Sequence, residues 1–202
     1  MNALLMWSGG IDSTYLLWRM MTEGKRIRVH HVHLDSFQKR REAEAKAVDR
    51  MLGWFKANGL DNFEYTESHF GWGTLPYKVR DVHIWAFIVG CIAAREPNIT
   101  TVLQPWRADE RPISEVRRGD PVMKLIRRIY REIPYQVCGR YIEQAEPCLD
   151  KTREDFMREM PRELLEMCWW CRTPKNGRPC HTCETCPTVD ALIAKLGIKM
   201  PH

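Results

Sequence analysis

Ser8, Gly9, Gly10, Asp12 and Ser13 stand in one short stretch, Met6-Trp7-Ser8-Gly9-Gly10-Ile11-Asp12-Ser13, and their types fit the binding of a phosphate or pyrophosphate. Paired glycines let the backbone approach a ligand closely, and two serine hydroxyls add donors. Asp12 opposes an anion unless a cation bridges the two, so Mg2+ is implied. The apolar run Ala3 to Trp7 reads as a buried strand, and Thr14 to Met21 has the apolar spacing of a helix. Strand, glycine turn and helix together place free N–H groups and the positive end of a helix dipole at the turn. The plain alternative is a Gly-Gly turn with Asp12 or Ser13 as an ordinary helix cap. No Gly-Lys-Ser/Thr follows the glycines, which argues against γ-phosphate chemistry of the Walker type.

The second chemistry-bearing stretch is cysteine-rich. Cys168 and Cys171 form one C-x2-C pair, and Cys180, Cys183 and Cys186 follow at spacings of three. Tetrahedral zinc takes four thiolates, and such pairs supply two from one tight turn. Spacing permits two sets: Cys168, Cys171, Cys180 and Cys183, or Cys171, Cys180, Cys183 and Cys186. Cys168 lies between apolar Leu164-Leu165 and Trp169-Trp170, where a thiol packs as a small hydrophobe. Cys186 precedes Pro187 at the start of a final helix, a position with less packing reason for a free thiol. His30, His31 and His33 also crowd together. A structural role is favoured for them, because His31 and His33 share one strand face and no third ligand is placed beside them by sequence.

The elements that position these residues alternate. Ile27 to Asp35 reads as a second strand, Gln38 to Ala57 as an amphipathic helix stopped by Asn58-Gly59, Phe63 to Glu67 as a third strand, and Asp81 to Arg95 as a buried helix. Phe70 to Tyr77 reads as a loop at the carboxyl edge, Thr100 to Gln104 as a fourth strand, and Arg107 to Asp120 as an arginine-rich loop, either a mobile one over the active site or a solvated surface loop. Pro121 to Glu132 reads as a basic amphipathic helix, Ile142 to Leu149 as a last short strand, and Thr152 to Met160 as a capped helix. The fold class expected is α/β, a doubly wound mostly parallel sheet with a C-terminal zinc-binding segment. With 202 residues and 44% hydrophobic content, one core is expected, divided as a main domain over 1–160 and a zinc segment over 161–202 packed on it. No apolar run reaches the ~18 residues of a membrane span and no secretory leader is recognised. The expected chain is therefore soluble and cytoplasmic. The net charge of +5 is modest and does not choose among ATP, an acidic small molecule and nucleic acid; direct nucleic-acid binding is not expected, although the Lys124, Arg127, Arg128 and Arg131 face keeps that reading open.

Ser-Gly-Gly-Ile-Asp-Ser after a first strand resembles the pyrophosphate-binding loop of the PP-loop ATP pyrophosphatases. Together with the C-x8-C-x2-C-x2-C run of Cys171, Cys180, Cys183 and Cys186, the chain resembles 7-cyano-7-deazaguanine synthase (preQ0 synthase) over most of its length. Asp35-Ser36-Phe37-Gln38-Lys39-Arg40-Arg41-Glu42 looks like that family's Asp-Tyr-Gly-Gln segment, Arg80 like its Arg-Asn pair, and Lys151-Thr152-Arg153-Glu154 like its Lys-x-x-Glu segment. The family's Tyr-Gly is Ser36-Phe37 here, its Asn is Asp81, and its Tyr-Pro-Asp-Cys-Arg run has no counterpart in 110–120. The resemblance implies ATP, Mg2+ and a structural Zn2+ as cofactors, the second cysteine set as zinc ligands, and 7-carboxy-7-deazaguanine and ammonia as substrates. Ser8, Gly9, Gly10 and Ser13 would hold pyrophosphate, Asp12 would act through magnesium, and Arg80, Arg107 and Lys151 would neutralise developing charge. A homodimer is expected. Alternatives are a variant that stops at the amide, a PP-loop tRNA-thiolating enzyme, which needs a reactive cysteine from Cys91, Cys138, Cys148 or Cys168, and a zinc-knuckle nucleic-acid-binding module.

Overall fold

The computed structural model describes residues 2–36, 38–72, 81–109 and 122–200. Five strands, β1 (Ala3–Met6), β2 (Ile27–Asp35), β3 (Phe63–Gly71), β4 (Thr101–Leu103) and β5 (Glu143–Ala145), form one sheet in the order β3-β2-β1-β4-β5. Every pairing is parallel, with Leu5 beside both Val29 and Leu103. The α/β class with a parallel sheet is thus as the alternating pattern requires. After β1 the chain adds strands on one side, and β4 then begins growth on the other. That reversal opens a crevice at the carboxyl ends of β1 and β4, where ligands bind in such sheets.

Helices cover both faces, so β1 is apolar without alternation. Leu5 and Trp7 face a core shared with α1 (Ile11–Thr22), α2 (Arg41–Ala57), α5 (Arg153–Glu159), α6 (Arg162–Met167) and α7 (Cys186–Lys195), while Leu4 and Met6 face α3 (Asp81–Arg95) and α4 (Val122–Cys138). Leu164, Leu165, Trp169, Trp170 and Val189 belong to the first of these cores, with Leu16 and Phe55. The cysteine-rich segment is therefore packed against the same face as the glycine turn. Thr152 caps α5 with a reciprocal bond to Asp155, the capping box its spacing predicts.

Four expectations change. β3 runs on to Gly71, because its ladder with β2 continues through the Asp35–Gly71 pair into residues whose Gly and Trp content reads as loop. α3 buries only Ile84, Ala86, Val89, Gly90 and Ala93, and leaves Phe87 and Cys91 exposed. Its apolar composition all round does not mean that it is covered all round. α4 continues through Pro134 to Cys138, where Gly90 allows close approach of Pro134 and Val137. β5 is shorter than Ile142 to Leu149, pairing only over Glu143–Ala145. No helix among the described residues is long and apolar enough to cross a membrane.

Candidate functional site

The turn after β1 lies in the crevice. Gly9 has φ 74°, and a β-carbon there would press on Val48 and the Glu44 carbonyl, so both backbone conformation and space require glycine. Gly10 caps α1 without any side-chain bond, leaving first-turn N–H groups directed at the crevice. Ser8 Oγ and Ser13 Oγ stand 3.2 Å apart, Gly10 N–H donates to Ser8 Oγ at 3.3 Å, and Ser13 Oγ donates to Gly10 O at 3.3 Å. Two hydroxyls and a helix N-terminus thus converge on one point, an arrangement that binds an anion. The strand behind is fixed by His31, whose Nδ1 meets Trp7 O at 2.8 Å.

Asp12, on the first turn of α1, is gripped by two arginines. Arg153 approaches with Nε at 3.0 Å from Oδ1 and Nη2 at 2.7 Å from Oδ2, and Arg107 pairs with Oδ2. Burial pushes the Asp12 carboxyl up, but the charges of Arg153 and Arg107 outweigh it and hold the group below its ordinary value. Arg107 is thus at the loop, in contact with Asp12. Lys151 points elsewhere, its Nζ 2.6 Å from Glu159 Oε1. Arg153, two residues on, stands beside Asp12 instead. It was legible only as part of the Lys151 to Glu154 segment. Arg80 lies outside the described residues, as do 110–121 of the arginine-rich loop.

A cavity of about 470 Å³ opens from the loop. Trp85, Trp106, Trp169 and Trp170 contribute indole walls, and Tyr130 a phenol. At the side nearest α2, Gln38, Arg40, Glu44 and Asp81 line it. Arg40 is buried, paired with Asp81 and lying 3.3 Å from Glu44 Oε1. Flat apolar walls with a few fixed polar groups are what a planar heterocycle requires. Arg40 was named in sequence only as a basic residue trailing the Asp35 to Gln38 segment, and Glu44 not at all, since it reads as a solvated charge of an amphipathic helix.

Burial raises Glu44 to about 7, against the opposing charge of Arg40. Between the unfolded value near 4.5 and this raised value the folded protein holds the extra proton, so the Glu44 contribution to stability is fullest below about pH 4.5 and falls as pH rises toward 7. The slope is at most ~1.4 kcal/mol per pH unit. Glu44→Gln is expected to flatten it, read as the difference in urea midpoint between pH 5 and pH 8.

The four sulfurs of Cys171, Cys180, Cys183 and Cys186 all lie within 4.8 Å of one another. N–H groups of Cys180, Cys183 and Arg172 point at the sulfurs of Cys171, Cys180 and Cys183 at 3.2, 3.2 and 3.4 Å. Such bonds favour thiolates, the ligating form. Cys168 is apart from this group, its Sγ 3.5 Å from Leu164 O, and burial pushes its thiol up to about 12. A four-thiolate cluster suits zinc and leaves no open position. The segment also reaches the loop: Trp169 N–H donates to Gly9 O at 2.9 Å, and Trp169 O would meet a β-carbon on Gly10 at 3.3 Å.

No family model matches the chain, and no curated protein matches it. Among solved structures it is similar to NMN synthetase from Francisella tularensis, with a TM-score of 0.49 and 12% identity over 98% of this chain and 73% of that one.

Proposed function

We propose that the chain is an ATP pyrophosphatase of the PP-loop kind that adenylates a carboxylate on a planar heterocycle, with 7-carboxy-7-deazaguanine as the substrate, ammonia as the nitrogen source and the nitrile as product. The observation that carries the reading is the anion-binding turn of Ser8 to Ser13, with two arginines beside it, opening into a cavity with indole walls. The turn and the N-terminus of α1 hold the pyrophosphate end of ATP. Arg107 and Arg153 stand where negative charge grows as the α–β bond breaks, the placement that lowers a phosphoryl-transfer barrier. Gln38, Glu44 and Asp81 supply polar groups for the edge of a deazaguanine ring stacked on indole.

A carboxylate resists ammonia because its oxygen leaves poorly, and transfer of AMP to that oxygen supplies the leaving group. Ammonia then displaces AMP to give the amide. A second adenylation, on the amide oxygen, lets AMP depart with loss of a proton and leaves the nitrile. Mg2+ supplies neutralisation of the phosphates, and Asp12, an oxygen donor already shared between two guanidiniums, is the residue that would hold it. Zn2+ fits the chemistry of the four thiolates as a structural ion.

A thiolating enzyme needs an activated cysteine, and in three of the four candidates the thiol is raised instead, Cys91 by partial desolvation, Cys148 by burial to about 11 and Cys168 by burial to about 12. On the basic helix, Arg127 is tied to Glu146 and Arg131 to Glu132, which leaves less of that face for nucleic acid. Purified protein supplied with ATP, magnesium, ammonia and 7-carboxy-7-deazaguanine is expected to yield nitrile, AMP and pyrophosphate by mass spectrometry. Arrest at the amide would identify the amide-forming variant, and an unchanged substrate would refute the assignment.

A further inference from the structure

The edge of the sheet farthest from β5 carries a cluster that the adenylation site does not use. The parallel register of β2 and β3 sets His33 beside His69 and His31 beside Glu67. Side chains two apart on a strand share a face, so these four form a two-by-two grid on one side of the sheet. The donor atoms of His33, Glu67 and His69 all lie within 4.8 Å of one another. His33 Nε2 is already 3.2 Å from Glu67 Oε2, and the His33 and His69 rings are stacked with centroids 4.3 Å apart.

We propose that His33, Glu67 and His69 bind a divalent transition-metal ion, a site separate from the four thiolates. Donors at ~2.0–2.1 Å around a tetrahedral ion stand roughly 3.3 Å apart. The His33 and Glu67 pair has that spacing now, and no other pair needs to close by more than about 1.5 Å, within the reach of ordinary rotamer changes. Glu67 and His69 are exposed, so their rotamers can shift, while His33 is half-buried on β2, which pairs with β3 at this level. Two imidazoles and one carboxylate select borderline ions such as Zn2+, Ni2+ or Co2+ over Mg2+ or Ca2+. Three protein ligands leave a position for water, so the ion exchanges.

Two neighbours give the site its support. Tyr65 OH donates to Glu67 Oε2 at 3.0 Å, orienting the carboxylate. His31 occupies the fourth corner, its ring edge-on to His33 at 4.6 Å. Its Nδ1 faces the Trp7 carbonyl and must carry the proton, which leaves Nε2 a buried acceptor with no hydrogen-bond partner among the described residues. That acceptor sits on the ring that packs edge-on against His33, and a water carried by the bound ion is a donor that would satisfy it.

The test uses the full chain with its thiolate site loaded with zinc, titrated with Ni2+ by calorimetry. One additional ion per chain is expected to bind, and His69→Ala and Glu67→Gln are each expected to weaken it at least tenfold, while His83→Ala leaves it unchanged. The paramagnetic ion should also broaden the imidazole signals of His33, His69 and the adjacent His31 ahead of the remaining histidines. No binding beyond the thiolate site, or equal binding by wild type and the His69 and Glu67 variants, would overturn the proposal. Neither outcome bears on the adenylation reading, because none of these residues lines the cavity.

Discussion

Asp12→Asn and Asp12→Ala are expected to lose AMP and pyrophosphate formation by at least ~100- to 1,000-fold in kcat, the scale on which removal of one charge-organising group acts at such sites. The loss follows from position. Asp12 stands on the first turn of α1 beside the anion-binding turn and gathers Arg107 and Arg153 to that point. Without the carboxylate both guanidiniums lose the partner that aims them, and the site loses the donor proposed to hold magnesium. Asn keeps the shape and isolates the charge, whereas Ala also leaves two largely buried arginines without their shared acceptor, at a cost of about 1–3 kcal/mol. A lower melting temperature for Ala than for Asn, with both inactive, is the expected pattern. Near-wild-type turnover by either variant would remove Asp12 from the mechanism.

The second large effect concerns the cysteines. Cys186→Ser is expected to lose the zinc ion and unfold the segment around it, because metal binding contributes ~10–16 kcal/mol to the folding of small four-ligand sites. Cys168→Ser should keep one zinc per chain, since its sulfur faces the Leu164 carbonyl and stands outside the cluster. Loss of the ion should also abolish adenylation, because Trp169 holds Gly9 through its N–H and, with Trp170, forms a cavity wall. Metal content and product formation, measured on both variants, check this. Zinc lost from Cys168→Ser and retained by Cys186→Ser would reverse the ligand set.

What could be read from sequence was what is local. The glycine turn, the Thr152 capping box and the C-x2-C pairs each declare themselves through neighbours a few residues away, and the β1 run is apolar because two faces are covered. Contacts made across the sheet were not legible. Arg40 and Glu44 look like surface charges of an amphipathic helix until the fold turns them into the cavity. Arg153 reaches Asp12 across most of the chain, and nothing near either residue marks the pair. His33 lacked a third ligand in sequence, and β3 supplies two through the parallel register. The ends of β3 and α4 were missed for the same reason, since a neighbouring strand and a glycine on α3 carry each element past its local stop signals.

Adenylation of the substrate carboxylate is the central claim, and the position of one oxygen tests it. With 7-carboxy-7-deazaguanine labelled with 18O in its carboxylate, together with ATP, magnesium and ammonia, attack of the carboxylate on the α-phosphorus followed by displacement by ammonia must carry one labelled oxygen into AMP. Mass spectrometry is expected to find AMP bearing one 18O and pyrophosphate bearing none. Label in orthophosphate with ADP as the other product, or unlabelled AMP alongside a nitrogen-containing product, would contradict it.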